Sequence, residues 1–263
     1  MFPGFYIFDT IFVGSYGIAA VIGLFTAAPL AIWQYKKRGG SDIDMILTLL
    51  VAAAGLFVGM HLLYGITNIP YWGILFKAED FMDFINRFGA VFSGSVFYGG
   101  LLGAMLAGGI YIKKNKLPVG LMTDCVAPFA ALFHCFGRIG CFLSGCCYGV
   151  EHEHGIVFEN AIVEQANGVP RLPVQLYEAA FELALFAVLL VLLHKGTLSG
   201  KLFPLYLVAY SVGRFILEFW RGDDYRGFLF GLSTSQLISI GVFIGAALTF
   251  ILGGAKKARE AEA

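Results

Sequence analysis

Seven times along its 263 residues the chain runs for about 20 residues with hardly a charge, the length an α-helix needs to cross the hydrocarbon of a bilayer. The runs fall near residues 11–33, 45–66, 90–112, 119–142, 174–193, 202–220 and 235–252. A composition that is 58% hydrophobic and only 14% charged points the same way, to a membrane protein rather than a soluble domain. The expected fold class is therefore an all-α integral membrane protein with about seven transmembrane helices. No polar linker, low-complexity run or internal repeat divides it, so residues 1–263 read as a single polytopic domain.

Eighteen basic against eighteen acidic residues leave no net charge, so no global field recruits nucleic acid. Where the charges sit is more informative. With the loops numbered alternately, one set holds Lys36, Lys37, Arg38, Lys113, Lys114, Lys116, Lys195, Lys201, Lys256, Lys257 and Arg259, eleven of the eighteen basic residues. The positive-inside rule makes these loops cytoplasmic. The N-terminus and the loops 71–87, 149–172 and 221–231 then lie outside, and the C-terminus lies inside. The first apolar run lacks a positively charged start and a small-residue cleavage site, and reads as a retained span. In the stretch 71–87, Lys77, Glu79, Asp80 and Asp83 alternate with Phe76, Phe81 and Phe84, which fits an interfacial helix or a solvated loop.

An ionisable side chain inside a span costs several kcal/mol unless it is paired or reaches water, so each is a default functional candidate. One cluster is Gly137-Arg138-Ile139-Gly140-Cys141, continuing to Gly145-Cys146-Cys147-Tyr148-Gly149. Its glycines leave the Arg138 guanidinium uncovered, and that fork of donors matches a phosphate. A second cluster is Tyr210, Arg214, Glu218 and Arg221, whose spacing of four, four and three puts them on one helical face. Arg214 and Glu218 could simply neutralise each other there, but the stripe keeps a second arginine. Lysine is absent from both clusters and from the seventh span, which excludes a retinal Schiff base.

Weaker candidates are Tyr16 in the first span, and Gln175, Tyr177 and Glu178 opening the fifth. Glu178 and Glu182 form an i, i+4 pair that orients the helix or pairs with an arginine. His134, one turn before Arg138, reads as a core histidine or as a base. His152 and His154 lack the further ligands of a metal site. The five cysteines, Cys125, Cys135, Cys141, Cys146 and Cys147, show neither CxxC pairing nor a disulfide framework. They read as small residues at helix contacts, as a redox pair or as a nucleophile.

Taken together, these residues resemble the prolipoprotein diacylglyceryl transferase family. The run from Gly137 to Gly149 is similar to its signature, Gly-Arg-x-Gly-Asn-Phe-x-Asn-Gly-Glu followed by a glycine. Ser15-Tyr16-Gly17, Tyr98-Gly99-Gly100-Leu101, Pro173-Val174-Gln175-Leu176-Tyr177-Glu178, Tyr210 through Arg221 and Ser235-Gln236-Leu237-Ile238-Ser239 agree in the same order. The resemblance implies seven spans around a central lipid-accessible cavity open to the outer leaflet of the bacterial cytoplasmic membrane. It also implies transfer of the diacylglyceryl group of phosphatidylglycerol to the thiol of a lipobox cysteine in a lipoprotein precursor, with glycerol phosphate leaving.

Carried over by residue, Arg138 holds the head group and Arg214 neutralises the leaving phosphate, while Tyr16, Tyr210 and Glu218 shape the cavity. Gly99, Gly100, Cys141, Cys146 and Arg221 are expected at the substrate. No metal or organic cofactor is needed. The chain departs from the family at Tyr98 and Leu172, where histidines are usual, and at Cys141 and Cys146 in the signature, although Gly-Cys-Cys-Tyr-Gly is a recurrent variant. A phenol is a poor base at neutral pH, which leaves Tyr98 a positioning role and the base unassigned. Two alternatives stay open: a paralogue with another thiol or hydroxyl acceptor, and a non-catalytic lipid-binding protein.

Overall fold

The computed structural model describes residues 1–94, 96–223 and 228–262. Its contacts divide the chain into two compact units, Met1–Gln34 with Gly120–Ala263, and Tyr35–Val119.

The first unit opens with a hairpin of β1 (Gly4–Ile7) and β2 (Ile11–Gly14), which leads into α1 (Ser15–Lys37). The span expected from residue 11 therefore begins as a strand and turns helical only at Ser15, whose hydroxyl donates to the Phe2 carbonyl. Five further elements complete the spanning part of the chain. In the first unit these are α5 (Val119–Ser144), α6 (Val174–Lys195), α7 (Leu202–Leu217) and α8 (Thr234–Glu262); the second unit contributes α2 (Asp42–Thr67).

Among the described residues six helices are long and apolar enough to cross a membrane: α1, α2, α5, α6, α7 with its following turn, and α8 as far as Ile251. The protein is a mostly helical, multi-pass membrane protein. Its helices turn large apolar side chains outward, as lipid-facing surfaces do; Phe25 is 74% exposed.

Two joints hold the helices of the first unit in register. Buried Asp124 of α5 accepts hydrogen bonds from the Gly200 and Leu202 amides, so it satisfies donors left over at the start of α7. At the start of α8, Ser233 and Gln236 form a reciprocal capping box: the Ser233 hydroxyl accepts from the Gln236 amide, and the Gln236 side chain accepts from the Ser233 amide. Between α5 and α6 the chain builds a small lobe on β3 (Glu151–Val157), paired antiparallel with β4 (Pro170–Arg171). Tyr148, Phe158 and Ala166 fill it, and Arg171 lies 4.6 Å above the Tyr148 ring while binding Glu151 and the Gln165 carbonyl. A third strand pair, β5 (Phe228–Leu229) with β6 (Leu232–Ser233), precedes α8. The loop expected over 221–231 thus lies partly outside the described residues.

The second unit packs α2 against α4 (Phe97–Lys114) through glycines. A Cβ on Gly59 would run into the Gly99 carbonyl, and one on Gly55 into that of Gly103, so the two backbones approach as only small residues allow. A short 3-10 helix (Ile69–Lys77) and α3 (Phe81–Phe92) connect them. Asp80 and Asp83 cap α3, and Arg87 pairs with Asp83 at 2.7 Å. The apolar run expected over 90–112 is interrupted: α3 ends at Phe92 and α4 starts at Phe97. A side chain of α2 meets the break. Nδ1 of His61 lies 2.9 Å from the Phe92 carbonyl and 2.8 Å from that of Gly94, so it carries the proton and satisfies carbonyls at the break.

Candidate active site

Three polar stripes at helical spacing meet inside the first unit. On α5 they are His134 and Arg138, on α6 Glu178 and Glu182, and on α7 Tyr206, Tyr210 and Arg214, with Glu218 in the 3-10 turn Glu218–Trp220 that follows. Steps of four residues stack each set on one face. Glu178, 1% exposed, sits at the junction. Its Oε1 is 3.0 Å from Nη2 of Arg138, and its Oε2 is 4.0 Å from Nη1 of Arg214. One buried carboxylate thus faces guanidinium groups from two different helices.

The surroundings fix both arginines. Arg214 Nη2 lies 2.6 Å from Glu218 and donates to the Ser235 hydroxyl at 3.2 Å, while the Ser233 hydroxyl donates to the other Glu218 oxygen at 2.7 Å. The capping residue of α8 therefore also orients the partner of Arg214. Imidazole nitrogens of His134 stand 3.9 Å from Glu178 and 3.0 Å from Glu182, and its ring packs 5.0 Å from that of Tyr210. What this arrangement does not fill is informative. Arg138 Nε and Arg214 Nη1 are buried and lack a hydrogen-bond partner among the described residues. Both carboxylate oxygens of Glu178 and of Glu182 lack one as well, and each buried donor left unmade costs about 1–3 kcal/mol.

The expected residues divide into three groups. Arg138, Arg214, Tyr210 and Glu218 come together. Tyr16 of α1 packs over Gly140, where a Cβ would lie 3.3 Å from its ring, and it reaches the Cys141 end of α5. Arg221 departs from the shared helical face: α7 ends at Leu217, and past the 3-10 turn Arg221 is extended, bridged to Gly149 and bidentate to Asp223 at 2.9 and 2.7 Å. Burial works against its charge, yet the Asp223 hydrogen bonds hold its pKa above the ordinary arginine value.

Cys141 and Cys146 lie in a cluster with Cys147, all three sulfurs within 4.8 Å of one another. Hydrogen bonds with Cys141 and Cys146 lower the Cys147 pKa, and hydrogen bonds with Cys141 and Cys147 raise that of Cys146. Tyr98, Gly99 and Gly100 belong to the second unit, where Gly99 faces the Gly59 backbone and Gly100 faces Leu56 and Met60.

Glu178 pairs with an arginine as expected, but it meets two of them rather than one. Its spacing from Glu182 matched that of Arg138 from His134, which was the available signal. Ser233 gave none, and Ser235 stood out only as part of the stretch Ser235–Ser239. Beside the cluster, Ser211, Phe215, Ser239 and Phe243 line an apolar groove between α7 and α8.

The fold and this site define a multi-pass membrane protein with a buried arginine–carboxylate cluster. Residues 4–252 match the family model described as prolipoprotein diacylglyceryl transferase, and the chain belongs to that family. It is similar to the phosphatidylglycerol–prolipoprotein diacylglyceryl transferase of Clostridium tetani (strain Massachusetts / E88), 37% identical over 88% of this chain and 91% of that one. It also resembles phosphatidylglycerol–prolipoprotein diacylglyceryl transferase 2 of Clostridium perfringens (strain 13 / Type A), 36% identical over 94% and 93%. The Dehalococcoides mccartyi (strain ATCC BAA-2266 / KCTC 15142 / 195) enzyme of the first name is 29% identical over 94% and 91%.

Proposed function

We propose that this protein transfers the diacylglyceryl group of phosphatidylglycerol to the thiol of a lipobox cysteine in a lipoprotein precursor and releases glycerol phosphate. The observation that carries the reading is the pair of guanidinium groups held on Glu178, each with a donor to spare. Attack of a thiolate on an sp3 glycerol carbon gains most from stabilising the departing phosphate and from excluding water. Arg138 holds the head group, and Arg214, fixed by Glu218 and Ser235, neutralises the leaving phosphate. Glu178 keeps both forks aimed before lipid arrives, so little reorganisation is left for the transition state. Tyr16, Tyr210 and Glu218 shape the cavity; Gly99, Gly100, Cys141, Cys146 and Arg221 border the substrates, and Tyr98 positions the acceptor.

In this reading α4 is the seventh span, the N-terminus is outside and the C-terminus is cytoplasmic. Residues 1–263 are read as a single polytopic domain of the bacterial cytoplasmic membrane, with a lipid-accessible site towards the outer leaflet. The test is purified protein with phosphatidylglycerol and a lipobox peptide. A thioether-linked diacylglyceryl peptide is expected, and it should vanish with Arg138→Ala or Arg214→Ala. Lipid turnover only with a different acceptor would refute the assignment, and it is the outcome that Tyr98 in place of histidine would otherwise suggest.

A further inference from the structure

We propose that His134, oriented by Glu182, is the base that takes the proton of the acceptor thiol. The assignment rests on the transferase reading above, which leaves that proton without an acceptor.

The polar residues of the first unit form two layers one helical turn apart. Arg138, Glu178, Arg214 and Glu218 make the first. His134 stands four residues before Arg138 on α5, Glu182 four after Glu178 on α6, and Tyr210 four before Arg214 on α7. The contacts of Arg138 with Glu178 and of His134 with Glu182 show that α6 runs against α5, so these steps all lead the same way. At 1.5 Å per residue the second layer lies about 6 Å from the first. In the topology read from the charges, that direction is towards the bilayer centre.

The layers differ in charge. In the first, two guanidinium groups face two carboxylates. In the second, Glu182 is wholly buried and no arginine or lysine pairs with it among the described residues; the basic nitrogen that reaches it is Nδ1 of His134, at 3.0 Å. A buried carboxylate matched only by a neutral imidazole is short of one proton, so the pair is built to take one up.

Glu182 also decides where that proton lands. A carboxylate beside Nδ1 keeps the hydrogen there and leaves the lone pair on Nε2. Nε2 faces the first layer, 3.9 Å from Oε1 of Glu178. The ring is held in that attitude by its neighbours, with the Tyr210 ring 5.0 Å away and that of Tyr206 stacked 6.1 Å beyond it. Once protonated, the imidazolium stands between two carboxylates that stabilise its charge without rearrangement.

The direction of attack puts the base on this side. With the phosphate on the arginines of the first layer, the diacylglyceryl part of the lipid hangs towards the second. Displacement at an sp3 carbon needs the sulfur opposite the departing oxygen, so the thiol approaches from the second layer. His134 Nε2 accepts its proton, the C–S bond forms as the C–O bond to phosphate breaks, and the electron pair leaves with glycerol phosphate. The proton then passes from His134 to that phosphate, which restores the neutral imidazole.

The experiment gives purified wild type, His134→Gln and Glu182→Gln phosphatidylglycerol and one of two lipobox peptides. One peptide carries the acceptor cysteine; the other carries selenocysteine, whose selenol is ionised at neutral pH and needs no base, because the anion is the nucleophile. With the thiol peptide, kcat should fall about 10²–10⁴-fold in His134→Gln, the usual worth of a positioned base, with KM for phosphatidylglycerol little changed. With the selenol peptide the same variant should keep most of the wild-type rate. Glu182→Gln should show the same selectivity with a smaller loss on the thiol, and it carries the test if thermal unfolding shows that His134→Gln does not fold. Arg214→Ala should lose both acceptors alike. Wild-type kcat in His134→Gln, or equal losses with thiol and selenol in the folded variants, would overturn the proposal and leave the transferase reading standing, since wild type still makes product. No product from wild type with either peptide would instead overturn the transferase reading, and the base assignment with it.

Discussion

Replacing Glu178 with glutamine keeps the volume of the side chain and removes the charge on which two buried guanidinium groups rest. At an effective dielectric of about 20, the 3.0 Å contact with Arg138 contributes about 5.5 kcal/mol and the 4.0 Å contact with Arg214 about 4.2. Desolvation of the carboxylate, several kcal/mol that the variant no longer incurs, offsets much of that sum. A net loss of about 3–5 kcal/mol remains, the usual cost of removing one partner of a buried pair. For a chain of this size that lowers the unfolding midpoint by roughly 10 °C. The assay is thermal unfolding of purified Glu178→Gln in detergent, without lipid and with added phosphatidylglycerol or phosphatidylcholine. Because the variant exposes donors that an anionic phosphate can take up, phosphatidylglycerol should stabilise it more than it stabilises the wild type, and more than phosphatidylcholine does. An unchanged midpoint without lipid, or equal rescue by the two lipids, would refute the idea that Glu178 holds the arginines for a phosphate.

Other outcomes follow from the same geometry. Arg138→Lys keeps a charge but not the fork, so kcat/KM for transfer should fall by about 10²–10³, and wild-type kinetics would contradict bidentate recognition. Gly59→Ala places a Cβ against the Gly99 carbonyl and 3.0 Å from the Gly103 Cα, and should cost about 1–3 kcal/mol in thermal unfolding; Gly73→Ala, with open space around it, should cost almost nothing. Arg171→Ala removes a cation over Tyr148 and two hydrogen bonds, so the lobe around β3 should lose about 2 kcal/mol, seen as faster amide exchange over residues 151–171.

Most spans were legible because membrane-length apolar runs admit few other folds, and the runs at 45–66, 174–193 and 235–252 became helices nearly as drawn. Where the reading went astray, the chain meets partners outside the run. The run at 90–112 breaks at Ser93 and Gly94, where His61 of another helix meets the Phe92 and Gly94 carbonyls, a contact hydropathy does not show. Residues 11–14 are apolar enough to read as the start of the first span but pair with Gly4–Ile7 as a strand. Periodicity placed Arg221 beside Arg214, yet the helix ends at Leu217, where the chain turns to meet Gly149.

At the site, both arginines and the Glu178–Glu182 step were visible, but which stripes face one another is a tertiary fact. The three-sulfur cluster was hidden for a different reason. Its spacing fits no linear metal motif, and only the left-handed turn at Gly145 and Cys147 folds the later cysteines back onto the first.

The most direct test of the central claim is the position of the lipid phosphate in an experimental structure of the protein with phosphatidylglycerol bound. The account predicts phosphate oxygens within about 3 Å of Arg138 Nε and Arg214 Nη1, the two donors now unfilled. A head group bound elsewhere, with both arginines still turned only to Glu178 and Glu218, would contradict it.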